Sequence, residues 1–345
     1  MTRFGAGRDS DGMPLRPPVE VDPVLDDPGL VRRLAERNAP YFPVQRYFAN
    51  AGEQRALSGA PVDADQAAAP VMVGPVFRGD WAYDRPLVPG IEPFFASDRF
   101  VAAARRLFGG AVVRPQIVYI NLSLPMLCGD GGHTDIPAFR GVDRTRYPVW
   151  LLVTMGRSGL FERWRIPIAT AVAWFYDGAG GGFTYWPDGP DEPPCTRPAR
   201  TNTALVGDND AMFHRVEAIG GADDDMLRGL TLDSQLTFAG DGVWTVVDDG
   251  RVLERYPFER IRISVSWKAQ VFRDTEAARV VDEHADDLDL TRVLATFAED
   301  LAARDVRLDL PADPLHDPTV VATLSRAYHR APTVYPWGRV TSRSD

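Results

Sequence analysis

The chain has 345 residues, 45% of them hydrophobic and 25% charged, with a formal net charge of -10 at pH 7. That length allows a sizeable core in one large domain or two smaller ones, and the composition is that of a soluble globular protein. The negative balance argues against nucleic acid or an anionic membrane as a partner, since both call for basic patches. Lys268 is the only lysine, so no Walker A phosphate loop can be built.

Two cysteines, Cys128 and Cys195, make neither a disulfide framework nor a zinc-finger spacing, which points to free thiols in a reducing compartment. The first twenty residues carry no signal-peptide core, and no apolar run approaches the ~18 residues that span a bilayer. A cytoplasmic protein without a membrane partner is expected.

In chain order, residues 1–18 are rich in Gly, Pro, Asp and Arg and read as a loose tail. Asp27-Pro28 opens a helix with Leu30, Val31 and Leu34 at helical spacing. Residues 51–69 are small, polar and Ala-rich and read as a loop. Ser97 caps a second helix, with Phe100, Val101, Ala104, Leu107 and Phe108 as its apolar stripe and Gly109-Gly110 as its stop.

From Ala111 the period changes to two. Residues 112–124 read as a strand, and 149–155 and 166–176 as further strand-like apolar runs. Phe183-Thr184-Tyr185-Trp186 follows a glycine cluster. Residues 202–213 read as one strand ending at His214. Asp249-Gly250 sits between two alternating runs, the signal of a hairpin, and 260–271 read as the last strand.

Beyond Asp274 the pattern is helical again, with Leu290, Val293, Leu294, Phe297 and Leu301 on one face and Val320, Val321, Leu324 and Tyr328 on another. The expected fold is mainly β with flanking helices around a barrel or jelly roll. The expected layout is a flexible tail (1–18), a helical N-terminal part (19–110), a β core (111–273) and C-terminal helices of the same domain (274–335).

The chemistry gathers around His133-Thr134-Asp135. Residues two apart in extended chain point to one face, so this imidazole and this carboxylate can converge on one point. His284-Ala285-Asp286 repeats the spacing in an acidic segment read as helical, where residues two apart diverge. His214, at the end of a later strand, offers the second imidazole. Two His and one carboxylate on one face of a metal leave open positions, the ligand set of non-haem Fe(II) oxygenases.

Downstream, Ile261, Ile263 and Val265 share one face of a strand, while Arg260, Arg262, Ser264 and Ser266 share the other. Arginines facing inward demand an anion, because unpaired buried charge is costly, and a carboxylate held in bidentate fashion supplies one.

In this order the pieces resemble the 2-oxoglutarate- and Fe(II)-dependent oxygenase superfamily, whose pattern is His-x-Asp, a distal His, then Arg-x-Ser on the next core strand. His133, Asp135, His214, Arg262 and Ser264 match that pattern. Gly181-Gly182-Phe183-Thr184-Tyr185-Trp186-Pro187 is similar to a segment of its prolyl-hydroxylase-like members. The resemblance covers residues 112–272 and implies a double-stranded β-helix, Fe(II) on His133, Asp135 and His214, and 2-oxoglutarate and O2 as cosubstrates. It also places Asn121 and Ser123 where family members contact the cosubstrate.

The interval from His214 to Arg262 exceeds the usual spacing, so residues 230–259 are expected to form an inserted hairpin. Arg260 competes with Arg262 for the cosubstrate carboxylate, and Ser264 at the family spacing favours Arg262. The resemblance further implies oxidative decarboxylation to succinate and CO2 coupled to oxidation of substrate. With Asp135 filling the position a halide would need, hydroxylation is favoured over halogenation; desaturation, epimerisation and ring formation stay open.

A small molecule, in the setting of bacterial secondary metabolism, is the expected substrate. An amino-acid or peptide hydroxylase, or a cupin-like metal isomerase or binding barrel without 2-oxoglutarate, are the alternatives.

Overall fold

The computed structural model describes residues 17–57, 69–127, 131–221 and 224–339. Most of the expected tail and Cys128 lie outside the described residues, whereas Cys195 is exposed and unpaired. A seven-stranded antiparallel sheet organises the fold, in the order Val19–Val21, Thr203–Gly207, Ile168–Phe175, Arg262–Phe272, Val112–Ser123, Val76–Tyr83 and Phe42–Pro43. A three-stranded sheet of His214–Val216, Phe183–Tyr185 and Cys195–Arg197 lies beyond it. Three strands of the large sheet thus come from the N-terminal part that was expected to be helical.

Period two divides the large sheet into unlike faces. On one, Val118, Ile120, Leu122, Ile263, Val265 and Trp267 join a buried cluster with Phe100, Ala104 and Leu107 of the helix Asp98–Phe108 and with Val31 and Leu34 of the helix Gly29–Arg37. Ser97 caps the Asp98–Phe108 helix by accepting from the Phe100 amide, and Gly109 ends it at φ 67°, as a C-cap glycine does. The opposite face carries Tyr119, Asn121 and Ser123 paired in register with Ser266, Ser264 and Arg262.

Several expectations change. The 149–155 run is no strand but part of the helix Val149–Ser158, started after Pro148 and stopped at Gly159. Its residues from Val149 to Met155 are all buried, and Trp150, Leu151, Leu152 and Met155 pack in a cluster with Val293 and Phe297 of Leu290–Ala302 and with Val320 and Leu324 of Pro318–Ala327. A helix buried all round shows no amphipathic period, so its apolar run mimics a strand.

The 202–213 strand stops at Gly207. Asp208 accepts from the amides of Ala211 and Met212 in a turn, and His214 opens a separate strand in the other sheet. Asp-Asn-Asp is turn chemistry that overrides the flanking apolar residues. Part of the 51–69 loop is the helix Ala51–Leu57. Asp249 and Gly250 do turn a hairpin, both at positive φ, but Gln235–Gly240 adds a third strand to it. His284-Ala285-Asp286 lies in a turn after the helix Thr275–Asp282, with exposed His284 bonded to Asp287. The 260–271 strand spans Arg262–Phe272 and is followed by a short C-terminal hairpin, Val334–Tyr335 with Gly338–Arg339.

Candidate metal and anion site

His133, Asp135 and His214 come together although 81 positions separate the two ends of the set, because the backbones of His133 and His214 exchange both amide hydrogen bonds at 2.9 Å. One donor atom from each of the three residues lies within 4.8 Å of the others. The His214 Nδ1–H donates to the Met212 carbonyl at 3.0 Å, which places the ring lone pair on Nε2, 3.7 Å from Asp135 Oδ1. A backbone carbonyl on the far nitrogen is the usual way a ligating imidazole is oriented.

The approach to His133 depends on glycine. Gly132 holds φ 110°, and a Cβ on Gly131 would lie 2.6 Å from the Tyr335 hydroxyl. The C-terminal hairpin therefore covers this turn, anchored by the Trp186 Nε1–H donating to the Val334 carbonyl at 2.7 Å.

Asp135 is charged and anchored. Its Oδ2 accepts from Lys268 Nζ at 2.8 Å, and its amide donates to the Asn209 carbonyl at 2.8 Å. Burial would raise its pKa, but the Lys268 ammonium hydrogen-bonded to it leads the interactions that outweigh burial and hold the carboxyl well below the usual range.

Arg262 and Ser264 lie farther along the same strand face, 1% and 3% exposed. Arg262 donates through Nε to the Gly181 carbonyl at 2.6 Å and through one terminal nitrogen to Ser264 Oγ at 3.2 Å. Its other terminal nitrogen is buried without a hydrogen-bond partner, and burial pushes its pKa down to about 10. Among the described residues no carboxylate forms an ion pair with it, so the strand buries a cation without a counter-ion.

Ser123 is buried opposite Arg262. Asn121 faces Ser264 and accepts from Arg78 Nε at 2.9 Å. Arg260, expected on the same inward face, instead ends a 3-10 turn, Phe258–Arg260. It is exposed and paired with Asp224. The strand begins two residues later than its alternating pattern suggested, so the arginine falls in the turn.

Lys268 and Asp210 were not picked out from the sequence. Lys268 does extend the series Arg262, Ser264, Ser266 by one more step of two, which was the available signal. Asp210 sat inside what read as a plain strand.

No family model matches the chain, and no curated protein does. Solved structures do superpose on it. An oxidoreductase of the 2OG-Fe(II) oxygenase family from Burkholderia pseudomallei is 14% identical, with 73% of this chain and 84% of that one covered and a TM-score of 0.37. The non-heme alpha ketoglutarate dependent epimerase SnoN from nogalamycin biosynthesis is 16% identical, covering 77% and 84% at a TM-score of 0.37. A Pseudomonas putida prolyl-4-hydroxylase is 11% identical, covering 75% and 94% at 0.34.

The chain's structural neighbours are 2OG-Fe(II) oxygenases.

Proposed function

We propose that the chain is an Fe(II)- and 2-oxoglutarate-dependent dioxygenase that oxidises, most simply hydroxylates, an unactivated C–H bond of a small molecule. The observation that carries this reading is the buried Arg262, whose unpartnered nitrogen shares a polar sheet face with Lys268, the partner of Asp135. The two-His, one-carboxylate set fits a divalent iron by donor type, with one ligand atom from each residue within 4.8 Å of the others. Iron held by His133, Asp135 and His214 would supply O2 activation coupled to conversion of 2-oxoglutarate into succinate and CO2.

The protein's own part is orientation. Arg262 and Ser264 would take the distal carboxylate of 2-oxoglutarate, the guanidinium already aimed by the Gly181 carbonyl. Asn121 and Ser123, one strand over and in register, would flank the bound cosubstrate. Arg260, tied to Asp224 outside, is given no role at the carboxylate. Because Asp135 fills a ligand position, hydroxylation is favoured over halogenation.

The strand order supports a double-stranded β-helix for residues 111–273, with three strands of 19–110 extending its large sheet and 274–335 packed on it. Val112–Ser123, Ile168–Phe175, Thr203–Gly207 and Arg262–Phe272 belong to the large sheet, while Phe183–Tyr185, Cys195–Arg197 and His214–Val216 belong to the other. Bridges Met126–Ile219 and His133–His214 extend the smaller sheet. No helix of the described residues is long and apolar enough to cross a membrane, and a small-molecule enzyme of bacterial secondary metabolism, working in the cytoplasm, is the setting proposed.

Calorimetric titration of the Mn(II)-loaded protein with 2-oxoglutarate tests the reading. Saturable binding that Arg262→Ala weakens a hundredfold or more is expected. Metal loading without any 2-oxoglutarate binding would favour a cupin-like isomerase or binding barrel instead.

A further inference from the structure

Asp210 is the least satisfied acid among the described residues. Its side chain is fully buried, and neither carboxylate oxygen accepts a hydrogen bond. Such a group calls for an explanation, since buried acceptors are almost always paired. The nearest cation is Lys268, whose Nζ stands 3.9 Å from Asp210 Oδ1 and 2.8 Å from Asp135 Oδ2. Arg165 holds Asp208 and Glu162, so it is committed elsewhere.

One ammonium thus sits between two buried carboxylates, bonded to one and short of the other. The bonded one belongs to the metal set, and a divalent cation there would repel an ammonium on the same carboxylate. The flexible four-carbon stem of lysine needs to carry its nitrogen only about 1 Å to reach hydrogen-bond distance of Asp210. Arginine supplies every other basic side chain of this protein, and its planar fork could not make so small a transfer between two single acceptors.

We propose that Lys268 and Asp210 form a positioning pair for the metal site. Lys268 is the counter-ion of Asp135 while the site awaits its metal, holding Oδ2 so that Oδ1 faces His214. When the metal takes over that charge, the ammonium passes to Asp210, the acceptor kept open for it. This rests on the metal-binding part of the reading above and is independent of 2-oxoglutarate.

The single lysine makes the test direct. Protein grown on isotope-labelled lysine gives one lysine side-chain signal, which can be followed by NMR as Zn(II), a diamagnetic stand-in, is added. Zn(II) saturation should move that signal. Asp210→Asn should alter the Zn(II)-loaded signal far more than the metal-free one and weaken Zn(II) binding by about tenfold, and Asp210→Glu should restore both.

A loaded signal identical in wild type and Asp210→Asn, or undiminished Zn(II) affinity in that variant, overturns the proposal. Zn(II) binding with an unmoved lysine overturns the transfer alone. Absence of Zn(II) binding in the folded wild type removes the metal reading and this pair with it.

Discussion

Arg262 Nε donates to the Gly181 carbonyl at 2.6 Å, at a point where a Cβ on Gly181 would come within 2.7 Å of the Arg262 side chain. Gly181 also holds φ 68°, a conformation that costs a residue with a side chain about 1 kcal/mol or more. The glycine both turns the chain and yields the space the guanidinium occupies. Gly181→Ala should therefore displace Arg262 and weaken 2-oxoglutarate binding by tenfold or more, while Co(II) absorption at the His133 and His214 site stays as in wild type. Unchanged 2-oxoglutarate affinity would separate the glycine from the anion site.

Arg262 itself is expected to serve binding and not stability. Its guanidinium is buried with one nitrogen unpaired, and a well-packed apolar replacement for such a charge is often neutral or stabilising. Arg262→Met should melt within a few degrees of wild type, or above it, in the absence of ligand. It should lose the rise in melting temperature that millimolar 2-oxoglutarate gives the metal-loaded wild type, a rise that follows from mass action. A large loss of stability in the ligand-free variant would make Arg262 a structural cation instead.

The His-x-Asp turn and the Arg-x-Ser strand were legible because both rest on period two, which sequence displays directly. Burial on all sides hid the helix Val149–Ser158, since its apolar run carried no amphipathic stripe. Lys268 continues the alternation of Arg262, Ser264 and Ser266 but went unread, since its partner Asp135 is 133 positions away and patterns reveal faces, not partners. Asp210 was obscured for the opposite reason: three consecutive turn-formers, Asp208-Asn209-Asp210, were read through by extending a strand that stops at Gly207. Arg260 was misplaced by two residues at a strand end, where boundaries are least marked.

Asp210 should also leave a mark on stability. Burial, only partly offset by Lys268 and Arg165, pushes its pKa up from 3.8 to about 7. The folded state then binds a proton that the unfolded state has released between those values, so this group's contribution to stability falls as pH rises from about 4 to about 7 and is level above. At about 1.4 kcal/mol per unit the full effect is at most about 4 kcal/mol. Asp135 has the opposite sign and a different window. With its pKa depressed, its contribution is present above the usual carboxylate value and is lost as pH falls below it. Denaturant unfolding of metal-free protein should show Asp210→Asn gaining on wild type as pH rises from 4 to 7, and a pH-independent difference would contradict this.

Packing within the C-terminal helices should be separable from chemistry. Phe297 is fully buried and meets Phe161 edge-on at 5.0 Å, so Phe297→Ala should cost about 3–5 kcal/mol. At temperatures where that variant remains folded, its metal affinity should match wild type. A matching drop in metal affinity would show that the outer helices hold the ligands in place.

The most direct measurement is anaerobic addition of Fe(II) and then 2-oxoglutarate, watching for the visible metal-to-ligand charge-transfer band of the chelated keto acid, with Asp135→Ala and Arg262→Ala alongside. A band in wild type that both variants weaken or abolish is the predicted result, and it would locate metal and cosubstrate on the residues named. Folded, iron-loaded wild-type protein that shows no band would contradict the oxygenase account.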